Sequence, residues 1–204
     1  VNGENALTGT LSLVFQPVTP SNWSDMQRLF ETKGGPKHCW CMVWRRSSEE
    51  ARNQEGGFRK LLMQARVEAG QPVGILAYAD DVPVAWCSIG PRGSHRPTMA
   101  PVLKTDAHEN VWSLACFYVQ QKFRHQGVMR QLIGAAGRQA RQHGATILEA
   151  YPVEKDAPSY RFGGFVEVFE AAGFSRIGEA GVRRTVFRLR LNPASSAVPP
   201  AAGC

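Results

Sequence analysis

The stretch Val111–Gly144, VWSLACFYVQQKFRHQGVMRQLIGAAGRQARQHG, joins nine apolar residues to an amphipathic helix through a short basic turn. Val111–Val119 is aromatic, β-branched and uncharged, the pattern of a central strand buried on both faces. Val128–His143 sets Val128, Leu132, Ala136 and Ala140 on one line with Met129 and Ile133 beside it, and Arg130, Gln131, Arg138, Gln139 and Arg141 opposite. Gly144 then ends the helix. Between strand and helix, Arg124, His125, Gln126 and Gly127 form a tight turn. The N–H groups around Gly127 to Arg130 lack helical acceptors there, and the helix dipole adds positive charge. An anion belongs at such a helix start, with phosphate or pyrophosphate the natural guest. Gly127 is required either because a close phosphate leaves no room for a Cβ or because the turn needs positive φ.

On the N-terminal side, Leu11–Val18 alternates up to Pro17 and Pro20, as a first strand does, and Ser21 or Asn22 can cap a helix carrying Trp23, Met26, Leu29 and Phe30. A second helix is expected over Ser47–Glu68, with Ser48 as N-cap and Gly56 and Gly57 bending or splitting it. Val73–Ala79 and Val84–Ile89 flank Asp80, Asp81 and Pro83, a hairpin signal, and Pro91–Asn110 reads as a loop. On the C-terminal side come a strand at Thr146–Tyr151, a short helix carrying Phe165, Val168, Phe169 and Ala172, and strands at Phe174–Ile177 and Arg184–Leu191. Antiparallel strands followed by a strand–helix–strand crossover define an α+β (α/β-type) single domain, with a mixed, mostly antiparallel central sheet flanked by helices. The folded body is expected at 11–191, between a flexible segment at 1–10 and a flexible Ala/Pro/Ser tail at 192–204.

Composition narrows the function classes. The 204 residues suit one domain, and 43% hydrophobic against 20% charged residues excludes intrinsic disorder for most of the chain. No window is apolar enough to span a membrane, and Val1–Thr10 does not read as a signal peptide, so a cytoplasmic location is expected. Cys39, Cys41, Cys87, Cys116 and Cys204 are odd in number and scattered, which reads as free thiols. The net charge of +7 raises the question of nucleic acid, but the acid-free run Val111–Leu148 alone contributes +5 of it. A second group, Arg184, Arg188 and Arg190, shares one parity of a strand and reads as a solvated face.

The turn and its surroundings resemble the GNAT (GCN5-related N-acetyltransferase) family. Its signature is a strand ending in valine, five residues, Arg or Gln, two residues, Gly, one residue, and Gly or Ala opening a helix. Here Val119, Arg124 and Gly127 match, and Met129 occupies the final small-residue position, a departure that obliges the loop to make room. FEAAGF, Phe169–Phe174, resembles the family's second motif, with the strand ILEAY between the two. The resemblance implies a GNAT fold and transfer of an acetyl group from acetyl-CoA to an amine in a ternary complex. It places the pyrophosphate at Arg124, His125, Gln126, Gly127, Val128, Met129 and Arg130, and pantetheine along the strand through Phe117, Tyr118 and Val119. A strand amide would polarise the thioester carbonyl.

Transfer also needs a base for the ammonium and an acid for the departing thiolate. Many members carry the acid as a tyrosine where this chain has Phe169, so Tyr160 and then Tyr151 are the substitutes, with Glu149 the candidate base. A solvent-facing carboxylate is the plainer account of Glu149, and His108, Glu109 and Asp156 stay open as bases. KHCWCMVWRR, Lys37–Arg46, falls where the family walls its acceptor site. Trp40, Trp44, Trp86 and Trp112 are accordingly candidates to line a pocket, against ordinary core packing. His38, Cys39 and Cys41 lack the paired spacing of a metal site, so no metal is expected, and Cys116 reads as inert packing. No P-loop, HExxH pair or GxSxG elbow occurs. The favoured reading is an acetyl-CoA-dependent N-acetyltransferase acting on a small-molecule amine, without nucleic-acid or membrane partners. A CoA-binding sensor, a degenerate enzyme and a protein or peptide acceptor are the alternatives, and the pairing common in the family leaves a homodimer open.

Overall fold

The computed structural model describes residues 11–53, 55–99 and 107–192. The expected flexible ends, 1–10 and all but the first residue of 192–204, lie outside the described residues, as does 100–106 of the expected loop. The chain order is β1 (Val14–Pro17), α1 (Trp23–Glu31), α2 (Phe58–Glu68), β2 (Gly74–Ala79), β3 (Val82–Pro91), β4 (Val111–Val119), α3 (Val128–Gln142), β5 (Ile147–Ala150), α4 (Val166–Glu170), β6 (Ser175–Ala180) and β7 (Arg184–Arg190). The strands form one seven-stranded sheet in the order β1-β2-β3-β4-β5-β7-β6. Among the described strands only the β4–β5 pairing, closed over by α3, is parallel.

Two apolar layers sandwich the sheet. On one face α3 seats Val128, Leu132, Ile133, Ala136 and Ala140 against Ile75, Ala77, Leu114, Leu148 and Phe187, and Phe169 of α4 joins the same core. On the other, Met26, Leu29 and Phe30 of α1 and Met63 and Val67 of α2 cover Leu76, Tyr78 and Trp86. The hairpin turn between β2 and β3 is made by Asp80 (φ 48°) and Asp81 (φ 60°), whose two successive positive φ values match the twist of the flanking strands.

Two helix starts differ from the sequence reading. The second expected helix does split at the glycines, but its first part is only a single 3-10 turn, Glu50–Arg52. That turn is held by Ser47 rather than Ser48: Glu50 N donates to Ser47 Oγ at 3.0 Å and Ser47 N donates to Glu50 Oε2 at 2.8 Å. Asn22 sits at the N-cap of α1, yet its side chain looks backward, accepting from Thr19 N at 2.8 Å and donating to Pro17 O at 3.0 Å.

Candidate active site

Gly127 is the N-cap of α3 with φ +73°, and a Cβ built there would meet nothing within 4 Å. The left-handed backbone, not crowding within the chain, is therefore what selects glycine. The first helical bond of α3 runs from Gln131 N to Gly127 O at 3.2 Å. The N–H groups of Gly127, Val128, Met129 and Arg130 precede it and so have no helical acceptor. Around them Arg124, His125, Gln126 and Arg130 are exposed, and His125 also takes a positive φ of 60°. Arg124 Nε is tied back to Val119 O at 3.0 Å and Gln126 Nε2 to Lys122 O at 2.8 Å, which fixes the turn to the end of β4.

Met129 solves its own steric problem. A Cβ on Gly164 would lie 2.1 Å from Met129 Cε, 3.4 Å from its Sδ and 2.9 Å from Phe169 Cε2. The thioether thus lies across Gly164 beside Phe169, partly buried against the α3-side core. The room is made at Gly164, whose φ of +86° also favours glycine.

β4 carries a bulge. Ser88 pairs with Cys116 but Ile89 with Leu114, so Ala115 is an extra residue. Just there the parallel partner is lost: β4–β5 pairing ends at Leu114↔Ala150, while β4 runs on to Val119 paired, among the described residues, with β3 alone. Pro152 stops β5, and the next contact of that segment is a bridge from Val153 to Phe165. Burial follows the same break. Val111 to Ala115 are buried but Cys116 to Val119 only half-buried, which corrects the expectation of a strand covered on both faces throughout. The free edge of Cys116 to Val119, holding Phe117, Tyr118 and Val119, leads directly to the Gly127 turn. The ring of Phe117 meets that of Phe169 edge-on at 6.1 Å.

Glu149 is fully buried, not solvent-facing. Its Oε1 accepts from the Tyr151 hydroxyl at 2.6 Å, and its Oε2 accepts from Arg188 (Nε, 2.7 Å) and Arg92 (Nη1, 3.2 Å). Tyr151 spends its single proton on Glu149, so the 2.8 Å contact with Ser113 Oγ is a bond donated by Ser113. Burial and the Glu149 carboxylate push the Tyr151 phenol well above its ordinary value, which keeps it protonated. Arg188 is the reason the solvated-face expectation for β7 fails. It is largely buried on Glu149, Arg184 is buried as well, and only Arg190, paired with Glu109 at 3.0 Å, stands in solvent.

The four tryptophans do not line one pocket. Trp40 and Trp86 are core residues under α1, contacting Phe30 at 5.0 and 5.5 Å. Trp112 lies on the α3 side, stacked on His143 at 4.9 Å. Trp44 alone is part-exposed, with the Arg184 guanidinium 4.3 Å above its ring and the Tyr160 ring 6.3 Å away. Tyr160 is half-buried with φ 61° and starts the 3-10 turn Arg161–Gly163. Among the other candidate bases, Glu109 is held by Thr146 and Arg190, and His108 and Asp156 are exposed. Cys39, Cys41, Cys87 and Cys116 are free. Cys41 Sγ lies 3.4 Å from Cys116 Sγ and accepts from Trp86 Nε1 at 3.2 Å.

Sequence reasoning missed Ser113, Arg92 and Arg188 around Glu149. For Arg188 there was a signal: Glu149 on one strand and an arginine at like parity on another, though only the β5–β7 register, Glu149↔Arg188, puts them side by side.

Residues 36–165 match the family described as "Acetyltransferase (GNAT) family", and the chain belongs to it. Solved structures repeat the architecture. A protein assigned to the GNAT family from Desulfovibrio desulfuricans is 23% identical, with TM-score 0.51 over 89% of this chain and 100% of that one. YncA of Salmonella typhimurium, solved with its cofactor acetyl-CoA, is 16% identical with TM-score 0.52 over 93% and 98%. PaiA N-acetyltransferase of Thermoplasma acidophilum, in complex with coenzyme A, is 11% identical with TM-score 0.51 over 88% and 99%. No curated protein matches the chain. Among the described residues no helix is long and apolar enough to cross a membrane.

Proposed function

We propose that the protein transfers an acetyl group from acetyl-CoA to a primary amine of a small molecule, by direct attack in a ternary complex. The observation that carries this reading is the continuity of the free β4 edge, Cys116 to Val119, with the unpaired N–H groups of Gly127 to Arg130. One surface offers strand-type hydrogen bonds to pantetheine amides, and its end offers an anion cradle to the pyrophosphate. Arg124, His125, Gln126 and Arg130 rim that cradle, Met129 contributes its N–H, and Val128 anchors the helix in the core. An amide at the Ala115 bulge, released from regular pairing, is the donor we assign to the thioester oxygen.

For the proton steps we assign Tyr160 as the acid for the thiolate, because its phenol is half-exposed beside Trp44 and the turn that follows β5. Glu149 and Tyr151 act as positioning residues. Both are sealed from solvent with their polar atoms committed to Arg92, Arg188 and Ser113, so the amine proton leaves through water rather than onto the carboxylate. Phe169, fully buried and unable to donate a proton, favours one second reading, a CoA-binding protein without turnover.

Calorimetric titration with acetyl-CoA, followed by thiol release against a panel of amines, tests the proposal. Binding with release is expected. Gly127→Asp brings a carboxylate to the cradle and should abolish binding in a folded protein; retained affinity would sink the assignment. Binding without release on any amine would favour the second reading.

A further inference from the structure

A cavity of about 520 Å³ opens on the α2 side of the sheet, beside the segment that follows β3. It lies away from the acetyl-CoA edge. β3 and β4 run antiparallel with Pro91 opposite Trp112 and Ala85 opposite Val119, so this cavity and the Gly127 turn sit at opposite ends of the strand pair, on the order of 20 Å apart. Its lining includes Arg45, Arg46, Arg66 and Arg96 against a single acid, Glu50.

Two of the four cations are spent within the fold. Arg66 Nη2 contacts both oxygens of Glu50 at 2.9 Å. Arg45 is buried, with Nη2 donating to Val73 O at 2.9 Å and Nη1 to Ser94 Oγ at 3.2 Å. Arg46 is different: at 9% exposure its Nε and Nη1 have no hydrogen-bond partner among the described residues. Arg96 stands half-buried on the same lining. Burying guanidinium donors without acceptors is costly, and neighbouring cations add to the cost, whereas a planar carboxylate or a phosphate matches the guanidinium fork. His95, buried on the same lining, has Nδ1 3.3 Å from both Pro91 O and Ser94 Oγ. Ser94 gives its own proton to Pro91 O at 2.7 Å, so both oxygens face Nδ1 as acceptors, Nδ1 carries the proton, and the buried Nε2, without a hydrogen-bond partner among the described residues, is left as an acceptor that a hydroxyl would satisfy. Monohydrogen phosphate and hydroxy acids present such a hydroxyl next to their anionic oxygens.

We propose that this cavity is a second anion site, holding a carboxylate or phosphate group of a small molecule on Arg46 and Arg96. The group belongs either to the acceptor amine itself or to a separate acidic effector. The site stands independently of the acetyl-transfer reading.

Inorganic phosphate is titrated by calorimetry, at low chloride, into the wild type, Gly127→Asp, Arg46→Gln and Arg96→Gln. Saturable binding is expected in the wild type, retained in Gly127→Asp, and weakened about tenfold or more in Arg46→Gln, the loss of one charge-assisted hydrogen bond. A thermal melt establishes that each variant is folded, and Arg96→Gln, on a less buried side chain, carries the test should Arg46→Gln fail to fold. Absence of saturable binding in the wild type, its disappearance in Gly127→Asp, or its survival unchanged in the folded arginine variants overturns the proposal. In the thiol-release assay, phosphate that competes with the amine identifies the acceptor's own acidic group. Phosphate that binds without competing identifies the effector. Both outcomes support the site.

Discussion

Glu149→Gln removes one negative charge from between two guanidinium groups while hardly changing the volume of the side chain. In the wild type the carboxylate is fully buried and its partners Arg92 and Arg188 are exposed by only 16% and 10% at their side chains. The amide can still accept from Tyr151, but on the other side its NH2 faces the guanidinium donors of Arg92 and Arg188 where a carboxylate oxygen stood. Breaking a buried, hydrogen-bonded ion pair typically costs about 3–5 kcal/mol, because the surviving charge stays desolvated. With about 2–4 °C of melting temperature per kcal/mol for a chain of this size, the variant should melt about 6–20 °C lower. Urea unfolding should give the same free energy through the midpoint at constant slope. Glu179→Gln is the control. It breaks the Arg176–Glu179 pair, whose side chains are both more than half exposed, and surface pairs of that kind are worth about 0–1 kcal/mol. Adding Arg188→Met to Glu149→Gln should recover part of the loss, since it removes the guanidinium that faces the amide. A Glu149→Gln protein that melts within about 2 °C of the wild type, or no lower than Glu179→Gln, would refute the view that this carboxylate is a buried anchor.

Gly164→Ala should destabilise by about 1–3 kcal/mol, from positive φ and overlap with Met129 and Phe169. Met129→Ala should be less damaging in that background than alone, a coupling that urea unfolding of the double-mutant cycle would detect and strict additivity would contradict. Tyr160→Phe should lower turnover by about 10²-fold or more with CoA affinity unchanged, as removal of a general acid does; an unaltered rate would remove Tyr160 from the mechanism. His95 is held well below its ordinary value by burial and then by Arg45, so below about pH 6.5 the unfolded chain takes up a proton that the folded one refuses. Stability should therefore fall as pH drops from 6.5 to 5, by up to about 1.4 kcal/mol per pH unit from this group, and His95→Gln should flatten that slope in urea titrations.

How far the sequence could be read depended on whether an interaction was local. The helix of Val128–Gln142, its glycine start and its strand on either side are periodic or punctuated features within forty residues, and the structure returns them nearly unchanged. Long-range pairings were hidden. Nothing local distinguishes a solvated arginine such as Arg190 from Arg188, which is buried because the β5–β7 register sets it beside Glu149. Nor does a tryptophan announce its side of the sheet: Trp86 and Trp112 are comparably apolar in context yet face opposite layers. The steric question posed by Met129 was visible, whereas its answer, Gly164, comes from a segment thirty-five residues away.

The extra residue in β4 has a consequence for how this chain can vary. Up to Leu114, even-numbered side chains of the strand, Trp112 and Leu114, face α3; beyond Ala115 it is the odd-numbered Phe117 and Val119 that do, with Cys116 and Tyr118 turned the other way. Ala115 is thus a change of reading phase within a single strand, and side chains can be exchanged around it far more freely than positions can be added or removed. Deleting Ala115 itself would join Leu114 to Cys116 and restore plain alternation with the later side chains still on their own faces, whereas losing or gaining a residue between Cys116 and Val119 would exchange the occupants of the two faces beyond that point. Beyond the bulge, length more than chemistry is what the strand has to keep.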